Sequence, residues 1–132
     1  MPISDIPIFS MLRTKMQWHQ ERQRLLAENV SNADTPDFRP HDLSPLTFDQ
    51  SQSSVAPLAL AHTSAAHMTA STASSSAFRL ERRTDFEVRP SGNQVNLEDE
   101  MLKVAANAMD YQAATTLYAR GLGLIKTAIG KG

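Results

Sequence analysis

Four histidines, a run of three acids and many serines are the residues of this chain that could do chemistry. His62 and His67 stand five apart with no carboxylate between them, a poor spacing for a metal site, and there is no cysteine to complete one. His41 falls in irregular, proline-containing chain. His19 falls on the apolar face of a helical pattern, where a buried or partner-bonded histidine is the ordinary reading. The serines form no Gly-x-Ser-x-Gly elbow. Neither a Gly-x-Gly-x-x-Gly fingerprint nor a phosphate loop occurs, and Gly121-Leu122-Gly123 comes late in a helix, the wrong end for phosphate. Glu98, Asp99 and Glu100 read as charges at a helix start rather than an acid/base pair. No catalytic, cofactor or metal residue is assigned, and no enzyme activity or small-molecule substrate is expected.

The stronger pattern is periodic. Leu97, Met101, Val104, Ala108, Tyr111, Thr115, Tyr118, Leu122, Ile125 and Ile129 keep an unbroken 4-3 spacing, and only Thr115 is polar. Such a repeat lays a stripe along a helix and asks for a helical partner. The helix would be about 50 Å long at about 1.5 Å per residue. Phe9, Leu12, Met16, His19, Gln23, Leu26, Val30 and Ala33 keep the complementary spacing near the other end, with His19 and Gln23 as polar seam residues. Buried polar residues of this kind fix register at some cost in stability.

The boundaries follow from breakers and caps. The first helix begins near Pro7, with Ser4 or Asp5 available as a cap, and ends before Pro36. Its outer face carries Arg13, Lys15, Glu21, Arg22, Arg24 and Glu28. Asn96 caps the last helix, and Lys126 and Lys131 lie toward its negative end. The chain therefore divides into an N-terminal helix at 1–36, an irregular middle at 37–95 and a C-terminal helix at 96–132. Within the middle, residues 50–77 carry no charge, and 19 of the 28 are Ser, Ala or Thr, a composition that makes a flexible loop. Phe38 to Phe48 and Phe78 to Val88 each have room for a short strand, and Pro90-Ser91-Gly92-Asn93 is a turn. The expected fold is mainly α: an elongated coiled-coil hairpin of the two terminal helices with an irregular, short-β middle. A bundle completed by a third helix is the alternative, but the Pro- and Ser-rich middle does not readily supply one.

Composition narrows the partners. Thirteen Lys and Arg against 14 Asp and Glu leave no footprint for nucleic acid, and the cluster Arg79, Arg82, Arg83 is interrupted by Glu81 and Asp85. The first ten residues lack a basic start and an apolar run, so no cleaved signal peptide is expected. Between Val104 and Ala119 the only charge is Asp110, and Ala105, Met109, Ala113, Ala114 and Leu117 make the helix apolar or neutral nearly all round. A helix of that kind is covered on all sides. A two-helix chain cannot cover it alone, so neighbouring copies are the expected cover. Gly121 and Gly123 each weaken the helix by about 1 kcal/mol relative to Ala, which means either a bent last turn or close approach of another helix.

The stretch Leu26-Ala27-Glu28-Asn29-Val30-Ser31-Asn32-Ala33-Asp34-Thr35-Pro36-Asp37-Phe38 resembles the N-terminal signature of bacterial flagellar rod and hook proteins. Gly92-Asn93-Gln94-Val95-Asn96-Leu97-Glu98, then Glu100-Met101, Asn107 and Tyr111-Gln112, look like the C-terminal half of a proximal rod protein of that family. Asp37 stands where the family usually has Gly, and Ser31 where it has Ala. The resemblance implies a non-catalytic subunit of the flagellar basal-body rod in the periplasm. It would be exported unfolded through the flagellar type III channel and would polymerise through its terminal helices into a shaft that transmits torque. It implies as partners copies of the chain, other rod proteins, the rod–export-gate adaptor FliE and the MS ring. Packing would fall to Leu12, Met16, Leu26, Val30, Met101, Val104, Ala108, Tyr111, Tyr118, Leu122 and Ile125. Another proximal rod subunit (FlgC-like) and a coiled-coil secretion chaperone or adaptor are the rival readings.

Overall fold

The computed structural model of the chain describes residues 6–48, 78–82 and 88–130. Its elements are α1 (Pro7–Ser31), β1 (His41–Leu43), β2 (Leu80–Arg82) and α2 (Leu97–Ala128). The fold is mainly helical, with both helices where the periodicity puts them and a two-stranded antiparallel ribbon in the middle. The helices are the only two among the described residues, and the composition-based loop at 50–77 lies outside them.

Local chemistry sets the helix ends. Pro7 occupies the first turn of α1, where its missing N–H has no partner to lose. The cap position falls on Ile6, which offers no side-chain acceptor; Ser4 and Asp5 lie outside the described residues. At the other end the Asn32 side-chain amide donates to the Glu28 carbonyl at 2.8 Å, satisfying a last-turn acceptor. Thr35 hydroxyl then donates to Asn32 Oδ1 at 3.0 Å, and the chain turns before Pro36. Asn96 caps α2, accepting from the Glu98 and Asp99 amides, with three acids in the first turn and Lys126 in the last.

α1 is the middle layer. The two helices run antiparallel: Phe9 meets Tyr118 edge-on at 5.4 Å near one end, and Asn29 meets Glu100 near the other. On its opposite side α1 packs on the ribbon. Trp18 and Leu25 join Leu43, Leu46 and Phe78 there in a small apolar core. The Trp18 indole N–H donates to the Ser44 carbonyl at 3.0 Å. Arg22 lies over the Trp18 ring and grips Asp42 with both fork nitrogens at 2.9 and 3.1 Å. Arg22 is thus part of the ribbon-facing side of α1 rather than its solvent face. The ribbon pairs His41 with Arg82, Asp42 with Glu81 and Leu43 with Leu80. Both stretches with room for a strand therefore supply one, and they pair with each other.

Candidate assembly interface

The seam between the helices is partly polar, and the side chains of His19, Gln23, Asn29, Glu100 and Asn107 each have a long-range partner in it. All eight periodic positions near the N-terminal end, seven in α1 from Phe9 to Val30 and Ala33 in the turn after it, are buried or half-buried. In α2 the face toward α1 is Glu100, Val104, Asn107, Tyr111, Ala114, Tyr118, Gly121 and Ile125, again spaced 4-3. One series, Val104, Tyr111, Tyr118 and Ile125, is the expected one. The other runs one residue earlier than the apolar count places it: Glu100, Asn107, Ala114 and Gly121 face α1, while Met101, Ala108, Thr115 and Leu122 are exposed beside the seam. Leu97 and Ile129, the ends of the expected stripe, are exposed too. The reason is physical. Ala114 and Gly121 let α1 approach closely, and Glu100 and Asn107, each 1% exposed, are hydrogen-bonded where they are buried.

Asn107 is the centre of the seam. Its amide donates to the His19 carbonyl at 2.8 Å and to Gln23 Oε1 at 2.9 Å. Its own Oδ1 then faces His19 Nδ1 at 2.7 Å and accepts a hydrogen bond from it. The His19 ring packs edge-on against Trp18, and Nε2 is buried without a hydrogen-bond partner among the described residues. Gln20 donates to the Tyr111 hydroxyl at 3.1 Å one turn along. Lower down, Asn29 joins three elements. Its Nδ2 donates to the His41 carbonyl at 2.7 Å and to Glu100 Oε2 at 2.9 Å, and its Oδ1 accepts from the His41 amide at 3.0 Å. Lys103 neutralises Glu100 at 2.7 Å. On the solvent side, Arg24 hydrogen-bonds Glu21 and holds its carboxyl below the usual glutamate range.

The motif residues collect at the turn. Asn93 is buried; its amide donates to the Asn32 and Thr35 carbonyls at 2.9 and 2.7 Å, and its Oδ1 accepts from the Val95 amide. One side chain thus ties the end of α1 to the approach of α2. Asp37 is left-handed at φ +58, the conformation a glycine in its place would take freely. Gly92, at φ +80, lies under it, and a Cβ there would overlap the Asp37 carboxylate. Ala33 and Phe38 are half-buried beside this turn, while Asp34, Thr35, Pro36 and Glu98 are exposed.

What the molecule leaves open is the far side of α2. Leu102, Met109, Leu117 and Leu124 are 68%, 72%, 55% and 73% exposed. A shallow, mostly apolar hollow runs along Met109, Ala113, Thr116 and Leu117. Among the described residues no group of three or more His, Cys, Asp or Glu side chains could hold a metal ion, and no helix is long and apolar enough to cross a membrane. His62 and His67 lie outside the described residues.

A helical hairpin locked by buried amides, with a bare apolar stripe along its longer arm, has the build of an assembly subunit, as the rod and hook signature implies. The chain is 30% identical to the flagellar basal body rod protein FlgB of Agrobacterium fabrum (strain C58) over 114 residues, 85% of this chain and 84% of that protein. It is 31% identical over 102 residues to FlgB of Yersinia enterocolitica, and 30% over 102 residues to FlgB of Salmonella typhimurium, each covering 74% of both chains. No family model matches the chain. The chain belongs to the FlgB family of flagellar basal body rod proteins and is a structural subunit of that rod.

Proposed function

We propose that this chain builds the membrane-proximal, periplasmic part of the rod and does so without catalysis. The observation that carries the reading is the uncovered stripe of α2, Leu102, Met109, Leu117 and Leu124. Burying one such side chain is worth about 1.5–3 kcal/mol, so sister subunits that cover the stripe gain a strong driving force. The seam to α1 supplies the complementary property. Its amides and carboxylate are satisfied only in one register, so the two helices would turn as a unit when torque is applied. The two terminal helices are then the rod-forming parts and the middle the variable one. The adaptor FliE and the MS ring are the partners we expect at the base of the shaft, with other rod proteins above.

The test is Met109→Asp with Leu117→Asp in the full chain. Both side chains point away from α1, so the isolated subunit should keep its helix content while incorporation into basal bodies and motility are lost. Normal motility would overturn the reading.

A further inference from the structure

Two charges stand alone on an otherwise neutral length of helix. Between Lys103 and Lys126 the only charged residues of α2 are Asp110 and Arg120. Both are exposed, and neither makes an ion pair or hydrogen bond with the described residues, whereas Arg22, Arg24, Arg89 and Lys103 are all paired.

The two charges share a stripe. Ala106, Asp110, Ala113, Leu117, Arg120 and Leu124 keep a 4-3-4-3-4 spacing, and all six are exposed. Each directly precedes a residue that faces α1, from Asn107 through to Ile125, so the stripe lies about 100° around the helix from that face. Such a spacing is the pattern a second helix packs against.

The order of residues on the stripe selects the partner and its direction. The spacing reads the same from either end, with its midpoint at the level of Thr115. A second α2 laid antiparallel about that midpoint brings Asp110 opposite Arg120, Ala113 opposite Leu117 and Ala106 opposite Leu124, each pair occurring twice. Carboxylate then meets guanidinium, a match that can be bidentate. Each leucine meets an alanine, the large-against-small alternation that lets facing side chains interdigitate. A parallel partner in register would set Asp110 against Asp110 and Arg120 against Arg120. A parallel partner slid until one Asp110 meets one Arg120 leaves the other two charges without a match.

We propose that two free copies of the chain pair antiparallel through this stripe, about a two-fold axis. The proposal rests on the reading that the outward side of α2 is an assembly face. The pairing is isologous, so it closes at two copies and does not propagate. It covers Leu117 and Leu124 before a copy joins the shaft and must open when the copy does, which holds back polymerisation away from the growing rod.

Sedimentation of the full-length chain tests the pairing. The native chain should show a monomer–dimer equilibrium. Asp110→Arg and Arg120→Asp each set like charges opposite one another twice, and each should weaken the dimer roughly tenfold or more. The chain carrying both substitutions restores both ion pairs and should dimerise as the native chain does. Both side chains are exposed, so circular dichroism should show unchanged helix content in all three variants. The chain has no cysteine, so Ala113→Cys and Leu117→Cys chains, mixed and mildly oxidised, report the direction of pairing. A mixed disulfide is expected. Disulfides between like positions alone, or a double variant no better than the singles, would overturn the proposal. A strictly monomeric native chain would also overturn it, while leaving the shaft reading to stand on the motility loss of Met109→Asp with Leu117→Asp.

Discussion

The ring of Phe9 lies so close to the backbone of Gly121 that a Cβ built there would sit 3.0 Å from both Cε1 and Cζ. The nearby Gly123 has nothing within 4 Å. The two glycines of one helix thus have different reasons to exist. Gly123→Ala should raise stability by about 1 kcal/mol through helix propensity alone. Gly121→Ala should forfeit that gain, because Phe9 must move, and Gly121→Leu should separate the helix ends. Urea unfolding of the three variants checks this. An equal gain for both alanines would remove the close-approach account.

Asn107 satisfies His19, the His19 carbonyl and Gln23 at once. Asn107→Ala leaves those groups buried and unpaired, and should cost about 2–3 kcal/mol. Trp18 is the only tryptophan and abuts His19, so its fluorescence reports the unfolding. A loss under about 0.5 kcal/mol, the size of an ordinary surface change, would show that the seam does not depend on this amide.

Arg22→Ala removes the counter-charge of Asp42, a side chain only 6% exposed. The expected cost is about 3 kcal/mol, most of it from stranding the carboxylate. Adding Asp42→Leu should recover much of the loss. A double variant no better than the single would mean the cation's stacking on Trp18, not the ion pair, holds the ribbon to α1.

Asp37 and Gly92 both hold left-handed backbone, and only Gly92 holds it without strain. Asp37→Gly should leave stability within about 1 kcal/mol of the native chain, whereas Asp37→Val should lower it by more than that. Gly92→Ala should be worse than Asp37→Gly, since its Cβ meets the Asp37 carboxylate. Thermal unfolding of the three ranks them directly.

Much of this was legible in the residues. Asn96 and the acids after it mark the start of α2, and the spacing from Phe9 to Val30 marks the face that α1 turns inward. Counting apolar residues chose Met101, Ala108 and Leu122 over Glu100, Asn107 and Gly121 because it rewards hydrophobicity at each seam position. It could not see that Asn29, 71 residues away, satisfies Glu100, or that His19, 88 away, satisfies Asn107. Trp18 and Leu25 were hidden for the same reason. They form a second face on α1 whose partners, Leu43, Leu46 and Phe78, come from segments with almost no periodicity of their own. The motif asparagines were recognisable as a signature, but their work as clamps on backbone carbonyls is visible only once the chain is folded.

The central claim is that the outward side of α2 is bare in the subunit and covered in the shaft. Imaging the assembled basal body at side-chain resolution tests it most directly. Met109 and Leu117 should lie buried against the helix of a neighbouring subunit, with the Asn29–Glu100 and Asn107–His19 bonds kept as they are here. Met109 and Leu117 facing open solvent in the finished shaft would contradict it.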